Sequence, residues 1–240
     1  MEWADRGLIL GLKKHGESSV ILELMTRAHG RHLGVVRGGR SKTMQPVLQA
    51  GNEVEAVWRA RLEEHLGLYA VEAAVLRTDA LISSAQALHG VNLLGALLRL
   101  LPERDPHSAL FERAQVLLAH LSGPLAPALF VHFELALLAE LGFGLDLDQC
   151  AATGSHEDLI YVSPKSARAV SRDAGAPWAT KLLPLPAFVR EAPGTPASRE
   201  EIDAGFRLTG FFLNRDVFAP RGVKPPDSRG AFMLAISAEK

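Results

Sequence analysis

From Glu53 to Leu62 the chain alternates between apolar and charged side chains. Val54, Ala56, Trp58, Ala60 and Leu62 stand against Glu53, Glu55, Arg59 and Arg61. Successive side chains on an extended backbone point to opposite faces, so a period of two specifies a half-buried β-strand. Four more short strand signals lie within the first eighty residues: Leu8 to Lys13, Val20 to Met25, Leu33 to Val36 and Leu68 to Glu72. Turn-forming residues separate them, at Lys14-His15-Gly16-Glu17, Ala28-His29-Gly30-Arg31 and Gly38-Gly39-Arg40-Ser41. Five short strands joined by glycine-rich turns suit a small barrel. A five-stranded Greek-key barrel of the OB type over residues 1–79 is the economical solution.

From about Asp79 helix formers dominate. Leu93, Leu97 and Leu100 recur at helical spacing, with Leu94, Leu98 and Leu101 beside them, and Pro102 closes that helix. Ser108 is expected to cap a helix from Ala109 to Leu121. Pro127 to Leu141 is apolar on most sides, relieved only by His132, Glu134 and Glu140, and reads as a buried central helix. Residues 145–197 form an irregular insert rich in Gly, Pro, Ser and Ala, with a hairpin expected around Leu159–Val162 and Ala169–Val170. Ser198 with Glu201 three residues on is a capping box, opening a last helix to about Phe218. The tail after it carries too many turn formers to continue that helix. The fold class is therefore α+β: a barrel, then a helical domain over residues 80–240 that carries the insert.

The charge is distributed unevenly. The net charge of -1 offers no global attraction to nucleic acid. Between Glu23 and Glu53, however, no carboxylate occurs, while Arg27, Arg31, Arg37, Arg40 and Lys42 do. With Lys13 and Lys14 at the end of the first strand, these seven cations are the candidate phosphate-binding residues. The competing reading is a solvated hairpin whose arginines keep a sheet edge soluble.

No catalytic constellation accompanies them. Gly34 to Ser41 is one substitution from a phosphate-binding P-loop, but Arg40 stands where that loop needs lysine and Pro46 follows within a turn and a half. A nucleotide hydrolase built on that loop remains one alternative, and an RNA-binding OB protein is another. His156-Glu157-Asp158 lacks a second histidine at metalloprotease spacing, and no Gly-x-Ser-x-Gly elbow occurs. One cysteine, Cys150, makes no internal disulfide and by itself holds no zinc. Trp3, Trp58 and Trp178 could stack on bases; Trp58 lies on the apolar face of its strand and reads as core, whereas Tyr69 reads as more open. The acidic, polar N-terminus and the lack of a long apolar run point to a cytoplasmic chain.

Several short motifs, taken together, resemble the RecO family of bacterial recombination mediators. They are the opening from Trp3 to Leu10, Gly16-Glu17-Ser18-Ser19, Thr26-Arg27-Ala28-His29-Gly30-Arg31 and Val36-Arg37-Gly38-Gly39-Arg40. Leu141 to Leu145 leading into Cys150, Tyr161-Val162-Ser163-Pro164 and Arg221-Gly222-Val223-Lys224 extend the resemblance along the chain. It implies an OB-fold followed by a helical domain with a zinc-finger-like insert. It also implies binding of single- and double-stranded DNA, annealing of complementary strands, contact with the acidic tail of single-stranded DNA-binding protein (SSB), and cooperation with RecR in loading RecA. Such a protein is no enzyme, needs no cofactor and works at the nucleoid. Many family members hold zinc with two Cys-x-x-Cys pairs. Here the matching positions are Cys150, Thr153, Ser171 and Ala174, so the insert is expected to fold without metal around a core of Leu159, Tyr161, Val162, Val170, Trp178, Leu182 and Leu183.

Overall fold

The computed structural model describes residues 1–238. They divide into two compact units, Met1–Ser122 with the C-terminal segment from Pro226, and Gly123–Pro225. The change of texture at Asp79 falls inside the first unit.

The first unit opens with a closed barrel of β1 (Glu2–His15), β2 (Ser19–Thr26), β3 (Gly30–Val36), β4 (Glu53–Arg59) and β5 (Leu68–Val75), in ring order β1-β2-β3-β5-β4. The long first strand closes the ring by pairing with β4 through its first half and with β2 through its second. The remaining seam is short and parallel, Val35 beside Leu68 and Val36 beside Tyr69. This ring order, with β3 and β5 parallel, is the OB arrangement expected from the strand pattern.

Val54, Ala56 and Trp58 point into the barrel with Ile9, Val20, Leu22, Leu24, Val36, Leu48 and Tyr69. Trp58 is fully buried, and its indole N–H donates to the Leu66 carbonyl at 3.0 Å. Truncating it to alanine would cost about 3–5 kcal/mol, the usual range for a core aromatic. Tyr69, expected to be open, is only 4% exposed, because its ring turns into the barrel over Gly34. The strand signal overruns at Leu62, which lies exposed beyond the end of β4.

Four helical elements complete this unit: α1 (Thr78–Ile82), α2 (Ala85–Leu98), α3 (Ser108–His120) and, from the far end of the chain, α7 (Asp227–Ala238). Ser84 caps α2 by accepting from the Ala87 N–H. The α3 helix begins one residue early, with His107 in the cap position rather than Ser108. The prolines of the tail are confined to residues 219–226. Beyond Pro226 the spacing of Phe232, Ala235 and Ile236 gives α7 a buried face, and α7 packs on α2.

In the second unit, α4 (Ala126–Glu140) is buried along its length, as its composition demands. Glu134 does not relieve that burial by reaching solvent. It is fully buried and accepts from the Thr209 hydroxyl of α6 (Arg199–Phe212). The capping box at Ser198 and Glu201 is present, and the helix continues as a π-helical turn, Leu213–Phe218. The insert holds β6 (Leu159–Val162), β7 (Ala169–Ser171), a turn of helix α5 (Arg172–Gly175) and β8 (Leu183–Pro184), with β6 central in the three-stranded sheet. Its buried side chains include Cys150, Leu159, Val162, Val170, Leu185 and Phe188.

Candidate nucleic-acid interface

The register of the β1–β2–β3 meander sorts the seven candidate cations. Lys14 pairs with Val20, and Val20 with Val36. The end of β1, the turn after it and the exit from β3 therefore share one end of the barrel. Lys13, Lys14, Arg37, Arg40 and Lys42 all stand there, exposed. Arg27 belongs to the β2–β3 turn and Arg31 to the start of β3, at the other end of β2.

Arg40 makes the basic end one body. Its backbone N–H donates to the Ser18 carbonyl at 3.0 Å, and its guanidinium donates to the carbonyls of Gly16 and Glu17. The β3–β4 loop is thereby fastened to the β1–β2 turn. Gly39 permits the approach: a Cβ there would lie 2.6 Å from a Val20 methyl. Beside Lys14 and Arg40 a cleft of about 280 Å³ is lined by Leu12, Val20, Gln45 and Leu48. Lys13, Lys14, Arg37 and Lys42 form no ion pair among the described residues, so their charge faces solvent undiminished.

Arg27 and Arg31 are placed differently. Arg27 pairs with Glu112 of α3 at 2.9 Å. Arg31 is only 15% exposed, with Glu23 at 2.9 Å and Glu103 at 3.3 Å, and it donates to the Leu101 carbonyl. Both connect the barrel to the helices that follow it. A cavity of about 600 Å³ beside Arg27 is lined by Arg6 and by Asp5, Glu53, Glu55 and Glu112, so carboxylates outnumber its arginines.

The sequence reading missed Asn52, fully buried at the end of the basic loop. Its side-chain amide donates to the carbonyls of Pro46 and Val47, and its carbonyl accepts from the Arg77 N–H at 2.7 Å and the Thr78 hydroxyl at 3.0 Å. One side chain thus holds the loop against the start of α1. No periodicity marks such a residue; only its place between Gly51 and a strand hinted at it. The P-loop alternative loses its footing, because residues 37–51 form turns and no helix follows Ser41 to present N–H groups to a phosphate.

In the insert, Cys150 Sγ accepts from the Ser171 N–H at 3.3 Å and lies 3.4 Å from the Ser171 hydroxyl. Burial by itself raises this thiol, but hydrogen bonds from Ser171, Thr153 and nearby backbone N–H groups outweigh it and bring the pKa down to about 6. The matching set of Cys150, Thr153, Ser171 and Ala174 offers one thiol, two hydroxyls and a methyl group, which does not fit tetrahedral zinc. Among the described residues no group of three or more His, Cys, Asp or Glu is placed to hold a metal ion. Trp178, expected to form the core of this insert, is 57% exposed with Lys181 over its ring at 5.5 Å. No helix among the described residues is long and apolar enough to cross a membrane.

Comparison with known proteins finds matches along nearly the whole chain. The family model described as Recombination protein O N terminal matches residues 1–76, and that for Recombination protein O C terminal matches residues 84–225. A protein named DNA repair protein RecO from Rhizobium johnstonii is 59% identical over 236 residues, covering 98% of this chain and 92% of the relative. Its namesake from Chelativorans sp. is also 59% identical, covering 98% and 96%. That from Methylobacterium nodulans is 59% identical over 244 residues, covering 100% and 99%.

Proposed function

Because the chain belongs to the RecO family of DNA repair proteins, we propose that its barrel binds DNA through the basic end. The carrying observation is the group of Lys13, Lys14, Arg37 and Lys42, exposed and without intramolecular carboxylates, at the end of β1 and on the β3–β4 loop that Arg40 fastens beside it. Such a group displaces counterions from any phosphate backbone. Binding is therefore independent of sequence, steeply salt-dependent and open to single and double strands alike. Annealing follows from the same physics: cations that screen the repulsion between two strands, while leaving base edges free, let complements meet. The protein acts by binding, not by bond chemistry.

The partners follow from the family. The second unit is the proposed docking site for the acidic, hydrophobic-tipped SSB tail. On α6 the partly exposed Phe211 has the exposed Arg207 four residues before it; Arg215, four after and 5.9 Å from its ring, is paired with Asp216 at 2.6 Å. An apolar ring beside the exposed Arg207 matches a peptide that is acidic with an apolar end. Together with RecR, such a mediator transfers SSB-coated strands to RecA.

The test is a salt titration. Replacing Lys13, Lys14, Arg37 and Lys42 by alanine, with Arg40 kept to hold the loops, should weaken single- and double-strand binding across sequences. The slope of log K against log salt should flatten by about 0.7–0.9 for each phosphate that is no longer neutralised. An unchanged slope in a folded variant would place the interface elsewhere. Competition between matched single-stranded DNA and RNA at fixed salt decides between DNA and RNA as the ligand.

A further inference from the structure

At the other end of β1 from Lys13 and Lys14 lies a cavity of about 400 Å³ that the cationic interface does not use. Trp3, His29, His32 and Trp58 line it with Arg104, Glu2 and Glu63. Its rings are already ordered. Trp3 stacks on His29 with centroids 4.0 Å apart and planes within 8°, and Trp58 lies 5.7 Å from Trp3 at 20°. His32 meets Trp3 edge-on, and the Tyr69 hydroxyl sits 3.1 Å from His32 Nδ1.

The outer ring of this ladder is held from two sides. Asp5 Oδ2 lies 3.3 Å from His29 Nδ1 and accepts from the Ala28 N–H, while the His29 N–H donates to the Thr26 hydroxyl. The His29 side chain nevertheless remains 33% exposed, leaving a flat surface with a fixed plane. The opposite wall is equally constrained. Arg104 adopts a φ of 62°, which non-glycine residues seldom do, and its guanidinium donates to the carbonyls of Glu63 and His65. The β4–β5 loop is thus tied to the cavity's rim.

The chemistry of the cavity selects its ligand. Glu63 and Glu2, the latter paired with Arg59 at 2.9 Å, offset Arg104 and the Met1 ammonium, so the lining has no surplus of positive charge for a phosphate. Stacked rings, a guanidinium donor and carboxylate acceptors suit the flat face and polar edge of a nucleobase. We propose that this cavity takes one unstacked base of a single strand, stacked on the His29 side of the Trp3 ladder, while the strand's phosphates reach the basic end. The proposal rests on the DNA-binding reading above and adds to it a preference for single strands, whose bases alone are free to enter. Trp3 and Lys13 are ten residues apart, roughly 30 Å along the strand path, within reach of the about 4–16 nucleotides that one such barrel engages.

The experiment compares wild type, Trp3→Ala and His29→Ala on a short single strand and on its duplex at one salt concentration. Both variants should bind the single strand about tenfold more weakly and the duplex as wild type does. Moving a single abasic site along the strand should find one position costing wild type a similar factor. That position should cost His29→Ala nothing further, since the missing base and the missing ring remove the same interaction. Equal weakening on single strand and duplex, no weakening on the single strand, or penalties that add would overturn the proposal. His29→Ala, at the cavity mouth, keeps the test valid if Trp3→Ala does not fold. Wild type binding neither form would refute the DNA-binding reading itself, whereas binding of both without these differences refutes only the base pocket.

Discussion

Arg31 and Glu23 face one another across the β2–β3 pair at 2.9 Å, and both side chains are largely withdrawn from solvent. Arg99 reaches the other oxygen of the same carboxylate at 2.7 Å. Glu23 is therefore the centre of a three-residue cluster linking the barrel to the end of α2, and Arg31 is committed inside the molecule.

Arg31→Ala should accordingly lower stability without altering DNA binding. Arg99 remains to neutralise Glu23, so the cost should fall near 1–2 kcal/mol, below that of an orphaned buried charge. Urea unfolding measures it. The salt slope of DNA binding should match wild type; a flatter slope would mean that Arg31 touches phosphate after all.

His32 carries a pH dependence. Burial, then Arg104 and His29, push its pKa from the usual value down to about 4. The folded state thus binds the proton less readily than the unfolded state. The contribution is fully present above about pH 6.5 and is lost as pH falls towards 4, at most roughly 3 kcal/mol. Unfolding free energies across that window should rise with pH more steeply in wild type than in His32→Asn. Parallel curves would contradict this account.

Thr209→Val tests the buried pair in the second unit. The isosteric change leaves the Glu134 carboxylate without the hydroxyl that donates to it. A destabilisation of about 1–3 kcal/mol is expected. Glu134→Leu with Thr209→Val should recover part of it, because the buried carboxylate is removed together with the hydroxyl that donates to it. A double variant less stable than the single one would refute that reading.

For the insert, chelation should leave the melting temperature unchanged and elemental analysis should find no stoichiometric zinc. Trp178→Ala should shift stability by no more than about 0.5 kcal/mol, as for an exposed site, whereas Phe188→Ala should cost about 3–5 kcal/mol. Zinc at one per chain would overturn the first expectation, and a destabilising Trp178→Ala the second.

How far the sequence can be read depends on the range of the interaction. The alternation around Trp58 needs only its neighbours, and β4 forms where that pattern lies. The acid-free window likewise locates cations, but it does not show which remain free. The Glu103 that meets Arg31 lies 72 residues away, and the Glu112 that meets Arg27 lies 85 away. Trp178 misleads for a related reason: a large apolar residue in a short insert looks like its core. In the structure Tyr161 already lies against Gly175, and Leu185 and Phe188 fill the interior, leaving the indole outside. α7 is hidden because prolines and glycines before Asp227 mask the apolar spacing after it.

The return of α7 to α2 governs the order in which the molecule is completed during synthesis. The barrel is made before residues 123–225 and α7 after them, so the barrel's unit lacks a helix until the second unit has been synthesised. Residues 123–225 are made entirely in the interval. The unit begun earliest is therefore the one finished last. A chain stopped at Pro225 would have a whole second unit and an α2 whose apolar face stands open to aggregation. A stop or a cut just before α7 is thus felt in the unit that holds the barrel, not in the unit made immediately before the cut.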